Sequence, residues 1–223
     1  MFAGHIGAAL AIGRSARRVN IGVFMLAALL LDVILWLFVL LGWESVVIPL
    51  TFAATHQAEF VFPFSHGLVG SMAWSVLAGL AVFAACSRLG ASRLRVAALL
   101  AAAVFSHWLL DALVHAPELP IAGAGSARVG LGLWHNMPLA LAVEALILLG
   151  GLVLFLAGAA LSRARKVWFA ALCLLVLAFT VAGMTVAPPP PSAGAMALSS
   201  LITITAICAL AYWLARPRHE ARG

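Results

Sequence analysis

The segment Ser106-His107-Trp108-Leu109-Leu110-Asp111-Ala112-Leu113-Val114-His115 spaces an imidazole, a carboxylate and a second imidazole four residues apart. On an α-helix each step of four overshoots a full turn by about 40°, so His107, Asp111 and His115 fall on one stripe. Nitrogen and oxygen donors stacked on one face make a ligand set for a borderline divalent metal such as zinc. The same stripe also reads as a hydrogen-bonded polar cluster between helices, and the spacing leaves both readings open.

Other residues could join it. Asp32 lies in Leu29-Leu30-Leu31-Asp32-Val33-Ile34-Leu35-Trp36. An acid in so apolar a run needs a partner, a metal or a proton. His66 follows Pro63-Phe64-Ser65, and His5 sits in Gly4-His5-Ile6-Gly7 near the start of the chain. Glu144 lies within a later apolar run, where it suits a ligand, a general base or a carboxylate that orients a histidine. Asp32 and Glu144 are thus the candidate proton acceptors. His135, after Trp134, reads as an outer partner of a site or an interfacial residue, and His56 and His219 read as solvated.

The elements that carry these residues must be membrane helices. The chain has 223 residues, 65% hydrophobic and 9% charged, with a mean hydropathy of +1.14. Soluble domains carry about a quarter charged residues. A helix needs about 20 apolar residues to span the hydrocarbon core, and six stretches qualify, roughly 20–42, 66–87, 95–115, 134–160, 166–187 and 197–215. The expected fold is an all-α polytopic membrane bundle of about six transmembrane helices, forming one integral membrane domain over 1–223. The polar residues concentrate in 1–145, so 146–223 reads as accessory helices. The first twelve residues, MFAGHIGAALAI, are apolar but too short to span, and they lack the basic start of a secretory signal. They read as a short helix tucked against or partly into the bundle.

The net charge of +6 belongs to topology rather than to nucleic acid. Arg14, Arg17 and Arg18 precede the first span, and Arg88, Arg93 and Arg95 fall between the second and third. Arg163, Arg165 and Lys166 separate the fourth and fifth, and Arg216, Arg218 and Arg222 follow the sixth. These are alternate connections, so the positive-inside rule puts both termini in the cytoplasm. Counted from the basic ends of their spans, Asp32 and His107 each lie about twelve residues, ~18 Å, deep. Asp111 lies a turn further out and His66 enters from the far side, which is compatible with one site in the outer half of the bilayer. The connections at 43–65, a candidate lid, and 116–133 face outward with the Pro188 to Pro191 turn. Cys86, Cys173 and Cys208 show no paired spacing and read as packing residues.

The order Gly-His, a mid-helix Leu-Asp, Ser-His-Gly and Ser-His-x-x-x-Asp-x-x-x-His resembles the YdjM-like membrane-bound metal-dependent hydrolases of the bacterial inner membrane. These are grouped distantly with zinc-dependent phospholipase C and the nucleases of its superfamily. The resemblance covers about residues 1–145 and is closest over FSHWLLDALVHAPELP, from Phe105 to Pro120, with VGLGLW from Val129 to Trp134. It implies that His5, Asp32, His66, His107 and Asp111 are metal ligands, with His115 a further one, and that zinc activates a water. The Pro-Asp-x-Asp of that family is reduced here to Leu31-Asp32-Val33-Ile34, and the final His-x-x-x-Glu of the phospholipases is absent. One or two zinc ions are therefore implied rather than three.

The expected function is a metal-dependent hydrolase of a phosphoester or lipid-like substrate, with the lipid bilayer as its partner and no nucleic acid. Two other readings stand beside it: a transporter or proton path built on the intramembrane acids and histidines, and a non-enzymatic membrane scaffold. The absence of an evident internal repeat weighs against the transporter.

Overall fold

The fold is a bundle of apolar helices with two short β-ladders on its connections, seen in a computed structural model that describes residues 1–86, 90 and 92–216. Arg88, Arg218, His219 and Arg222 lie outside the described residues. The helices are α1 (Ala3–Gly13), α2 (Ile21–Ala28), α3 (Leu30–Leu41), α4 (Phe52–Thr55), α5 (Leu68–Ala85), α6 (Arg93–Val114), α7 (Met137–Gly158), α8 (Arg163–Thr185) and α9 (Ala193–Leu214). Strands β1 (Ser45–Val47) and β2 (Glu59–Val61) pair antiparallel, as do β3 (Leu119–Pro120) and β4 (Arg128–Val129).

Side-chain caps set several boundaries. Asn20, Asn136, Ser162 and Ser192 accept hydrogen bonds from first-turn amides of α2, α7, α8 and α9, satisfying donors that a helix start leaves free. Gly42, at φ 75°, closes α3 in the left-handed region that a side chain disfavours. Helix α6 stops before Ala116-Pro117, because a residue that precedes proline is pushed out of the helical region.

Five helices, α5 to α9, are long and apolar enough to cross a membrane. The stretch expected as the first span is instead two helices, α2 and α3, bent by 51° at Leu29. Counting that pair as one span gives six, and the chain is an integral membrane protein. Leu77, Leu80, Leu146, Trp168 and Leu175 turn outward from the bundle. Lipid accepts such surfaces, since the backbone groups are already paired within helices.

Helix α1 does not lie on the surface. His5, Ile6, Ala9 and Leu10 are buried, and α1 packs along α7 with its backbone against that of α7. A Cβ added at Gly7 would come within 2.6 Å of the Leu148 Cα, and one at Gly151 would strike the Gly7 carbonyl. Glycine at both positions is what allows the approach. Glu144 of α7 completes the docking by accepting from the Gly4 amide at 3.2 Å, an end-cap that α1 lacks in its own sequence.

Candidate metal centre

Four elements deliver the cluster. His5 comes from α1, Asp32 from the first turn of α3, His66 from the turn that leads into α5, and His107 and Asp111 from α6. The break at Leu29 matters twice. It carries Asp32 toward α6, and it leaves the Ala28 carbonyl, at the end of α2, to accept from His107 Nδ1 at 2.7 Å. That bond places a proton of His107 on Nδ1, so the neutral ring presents Nε2 as a lone pair.

His66 is set the same way through a longer chain. Glu44, buried, accepts from the amides of Phe64 and Ser65, each at 2.8 Å, and from Ser65 Oγ at 2.6 Å. Having given its one proton to the carboxylate, Ser65 Oγ can only accept from His66 Nδ1, 2.8 Å away. In the neutral ring, His66 Nε2 is then the atom left to accept or to bind a ligand. It faces His107 Nε2 at 3.1 Å.

Around this pair stand carboxylate oxygens. Asp111 Oδ2 lies 3.1 Å from His107 Nε2 and 3.5 Å from His66 Nε2. Asp32 Oδ1 lies 3.6 Å and 3.7 Å from the same two atoms. Imidazole nitrogens and carboxylate oxygens thus gather in a buried place, an arrangement that a proton on one imidazole or a bound cation would stabilise. Ligand atoms about 2.0–2.2 Å from a tetrahedral zinc stand about 3.4 Å apart. The observed separations of 3.1–3.7 Å match that spacing.

Two overlapping triads meet the geometric requirement for an ion: His66, His107 and Asp111, and His5, Asp32 and His107. They share His107, whose single Nε2 lone pair serves one ion. His5 stacks on His107 with ring centroids 3.7 Å apart, and its Nε2 lies 3.1 Å from Asp111 Oδ1. Its Nδ1 is buried with no hydrogen-bond partner. The Met1 amino group lies 2.8 Å from the same carboxylate oxygen, a contact that nothing in the sequence pattern announces.

His115 sits at the edge. The end of α6 places it in extended backbone, so its Nε2 is 4.0 Å from Asp111 Oδ1. Its Nδ1 pairs with Glu118 at 2.5 Å, again orienting Nε2 inward. His135 is exposed and bonds locally to the Gly132 carbonyl at 2.8 Å, outside the cluster. Glu144 engages Gly4 and lines the adjoining cavity without joining either triad.

That cavity, about 300 Å³, opens beside the cluster. Asp32, His66, Asp111 and His115 form one wall, and Trp36, Phe60 and Phe62 form an aromatic one. Phe179, Thr180, Gly183 and Met184 of α8 with Met196, Ser199 and Ser200 of α9 close the opposite side. The helices read as accessory thus build part of the chamber. His56, read as solvated, also lines it, carried there by the connection between α3 and α5. Among the described residues no Lys or Arg lines the cavity. No protein-family model, curated protein or solved structure matches this chain.

Proposed function

We propose that this protein is a membrane-embedded metal-dependent hydrolase that holds a divalent ion, zinc by donor type, between His66, His107 and Asp111, with Asp32 and His5 beside it. The observation that carries the reading is the convergence of His66 Nε2, His107 Nε2 and Asp111 Oδ2 within 3.1–3.5 Å of one another in a buried place. The Nδ1 protons of the two histidines are committed to Ser65 and Ala28. Carboxylate-backed and carbonyl-backed histidines of this kind are the usual partners of a bound ion.

Three protein ligands leave one position of a tetrahedral ion open, as in catalytic rather than structural zinc sites. Bound there, zinc would supply a water acidic enough to be a nucleophile at neutral pH. The chain's own residues do the rest. His66 and Asp111 reach the cavity wall, whereas His5 and His107 lie behind it. Asp32 has the most open side chain of the cluster, 20% exposed, and faces the cavity, so it is the group placed to take a proton. Glu144 holds α1, and with it His5, in register.

The cavity supports an amphiphilic substrate, such as a phosphoester or lipid-like molecule. Its walls are mostly aromatic and aliphatic, with Thr180, Ser199 and Ser200 as scattered hydroxyls. With no Lys or Arg lining it among the described residues, the cavity would draw positive charge for a scissile group from the cluster, where the Met1 amine also lies. The basic connections support a bacterial inner-membrane orientation with both termini cytoplasmic, and the site then lies in the outer half of the bilayer.

The test is metal analysis of protein purified in detergent without chelators, followed by hydrolysis assays on amphiphilic phosphodiester and carboxylic ester probes. Stoichiometric zinc with turnover supports the proposal. Metal-free protein that stays folded and takes up no added zinc would sink it.

A further inference from the structure

The opposite end of the bundle holds a second cavity, about 430 Å³, between the turn joining α1 to α2, the end of α7 and the end of α9. Arg14, Arg17, Arg18 and Arg216 all line it. Among the described residues, every ion pair uses a histidine or the Met1 amine, and no Arg or Lys takes part in one. Of the acids among the described residues, Asp32, Glu44, Asp111, Glu118 and Glu144 are engaged at the metal-centre end, and Glu59 lies exposed on β2. Arg14, Arg17, Arg18 and Arg216, all exposed, thus line one space with no acidic counter-charge among the described residues.

The space is built rather than incidental. Arg17 packs its guanidinium over Gly158 at the end of α7, where any side chain would displace it. Arg165 donates to the Arg216 carbonyl, and the Arg216 guanidinium lies over the Tyr212 ring, 5.1 Å from its centroid. Asn20 Nδ2 donates to the Tyr212 carbonyl at 2.9 Å, tying the α1–α2 turn to α9. Ile21, Phe155 and Leu161 provide an apolar side to the same cavity. A planar, weakly hydrated guanidinium is suited to bidentate contact with phosphate, and basic pockets between membrane helices at the interface suit anionic head groups.

We propose that this cavity binds the phosphate of an anionic phospholipid, with an acyl chain against the apolar side. The site is separate from the metal centre and does not depend on the hydrolase reading. Because it bridges the turn that follows α1 and the end of α9, a bound lipid would brace the helix that carries His5.

The experiment is native mass spectrometry of the delipidated full chain in detergent, titrated with phosphatidylglycerol or phosphatidylcholine, with inorganic phosphate as competitor. Phosphatidylglycerol should bind preferentially, and each of Arg14→Gln, Arg17→Gln, Arg18→Gln and Arg216→Gln should weaken it by about fivefold. The triple variant R14Q/R17Q/R18Q should lose the preference altogether. An unchanged far-ultraviolet circular dichroism spectrum and thermal midpoint in each variant report an intact bundle, and the single variants decide the matter if the triple one does not fold. Equal binding of the two lipids, or a preference unchanged in the single variants, would overturn the proposal. Displacement of the lipid by inorganic phosphate at comparable concentration would reassign the cavity to free phosphate.

Discussion

His66 Nε2 and His107 Nε2 face one another across 3.1 Å in a buried cluster with Asp111. The Ser65–Glu44 pair takes the outer proton of His66, and the Ala28 carbonyl takes that of His107. Two imidazole nitrogens gathered with an aspartate carboxylate in one buried place form a set of donors that could hold a cation.

The ligands themselves come first. His107→Ala and Asp111→Ala should each abolish zinc retention, because either change breaks the His66–His107–Asp111 triad. Inductively coupled plasma analysis reads the metal, and far-ultraviolet circular dichroism should show the helices retained. His115→Ala, at 4.0 Å from Asp111, should keep most of the metal. Equal loss in all three variants would contradict the assignment of His115 to the edge.

Groups behind the ligands should matter nearly as much. Glu44→Gln and Ser65→Ala remove the chain that orients His66, and each should lower zinc affinity by about 10–100-fold. A competition titration against a chromogenic chelator measures this. Unchanged affinity would mean that His66 is not a ligand.

Asp32 separates binding from turnover. If it takes the proton of the nucleophile, Asp32→Asn should retain zinc in the His66–His107–Asp111 triad while hydrolysis falls by about 10²–10⁴-fold. Full activity in a metal-loaded Asp32→Asn protein would remove Asp32 from that role.

The docking of α1 can be tested away from any ligand. Gly151→Ala places a methyl group against the Gly7 carbonyl and should cost about 1–3 kcal/mol of stability. Thermal unfolding should shift downward, and zinc affinity should fall as His5 moves. Gly150→Ala, next in sequence but with open space around its Cβ, serves as the control.

The chamber wall offers the complementary case. At Gly183 a new Cβ meets no neighbour, and the residue lines the cavity beside the metal centre. Gly183→Leu should therefore leave metal content intact while raising KM for long-chain amphiphiles more than for short ones. An equal effect on both would place the substrate elsewhere.

The sequence by itself determined the all-helical membrane architecture, because hydropathy and helix length are local properties that lipid rewards wherever they occur. It also marked the ligand candidates. His5, Asp32, His66, His107 and Asp111 stand out as ionisable groups in apolar surroundings, and the structure brings all five together. Only the tertiary structure decided how. No proline or glycine announces the break at Leu29, which presents Asp32 and frees the Ala28 carbonyl. The insertion of α1 depends on Gly7 meeting Gly151, a match between segments far apart in the chain. His115 lies on the stripe only while the helix continues, and Pro117 ends it first. Glu44 and Ser65 looked like loop residues, and α8 and α9 like accessories, because a hydrogen-bond relay and a cavity wall have no periodicity along the chain. Local patterns fix which residues are polar and how the helices run, whereas the protonation of each histidine depends on partners that only packing supplies.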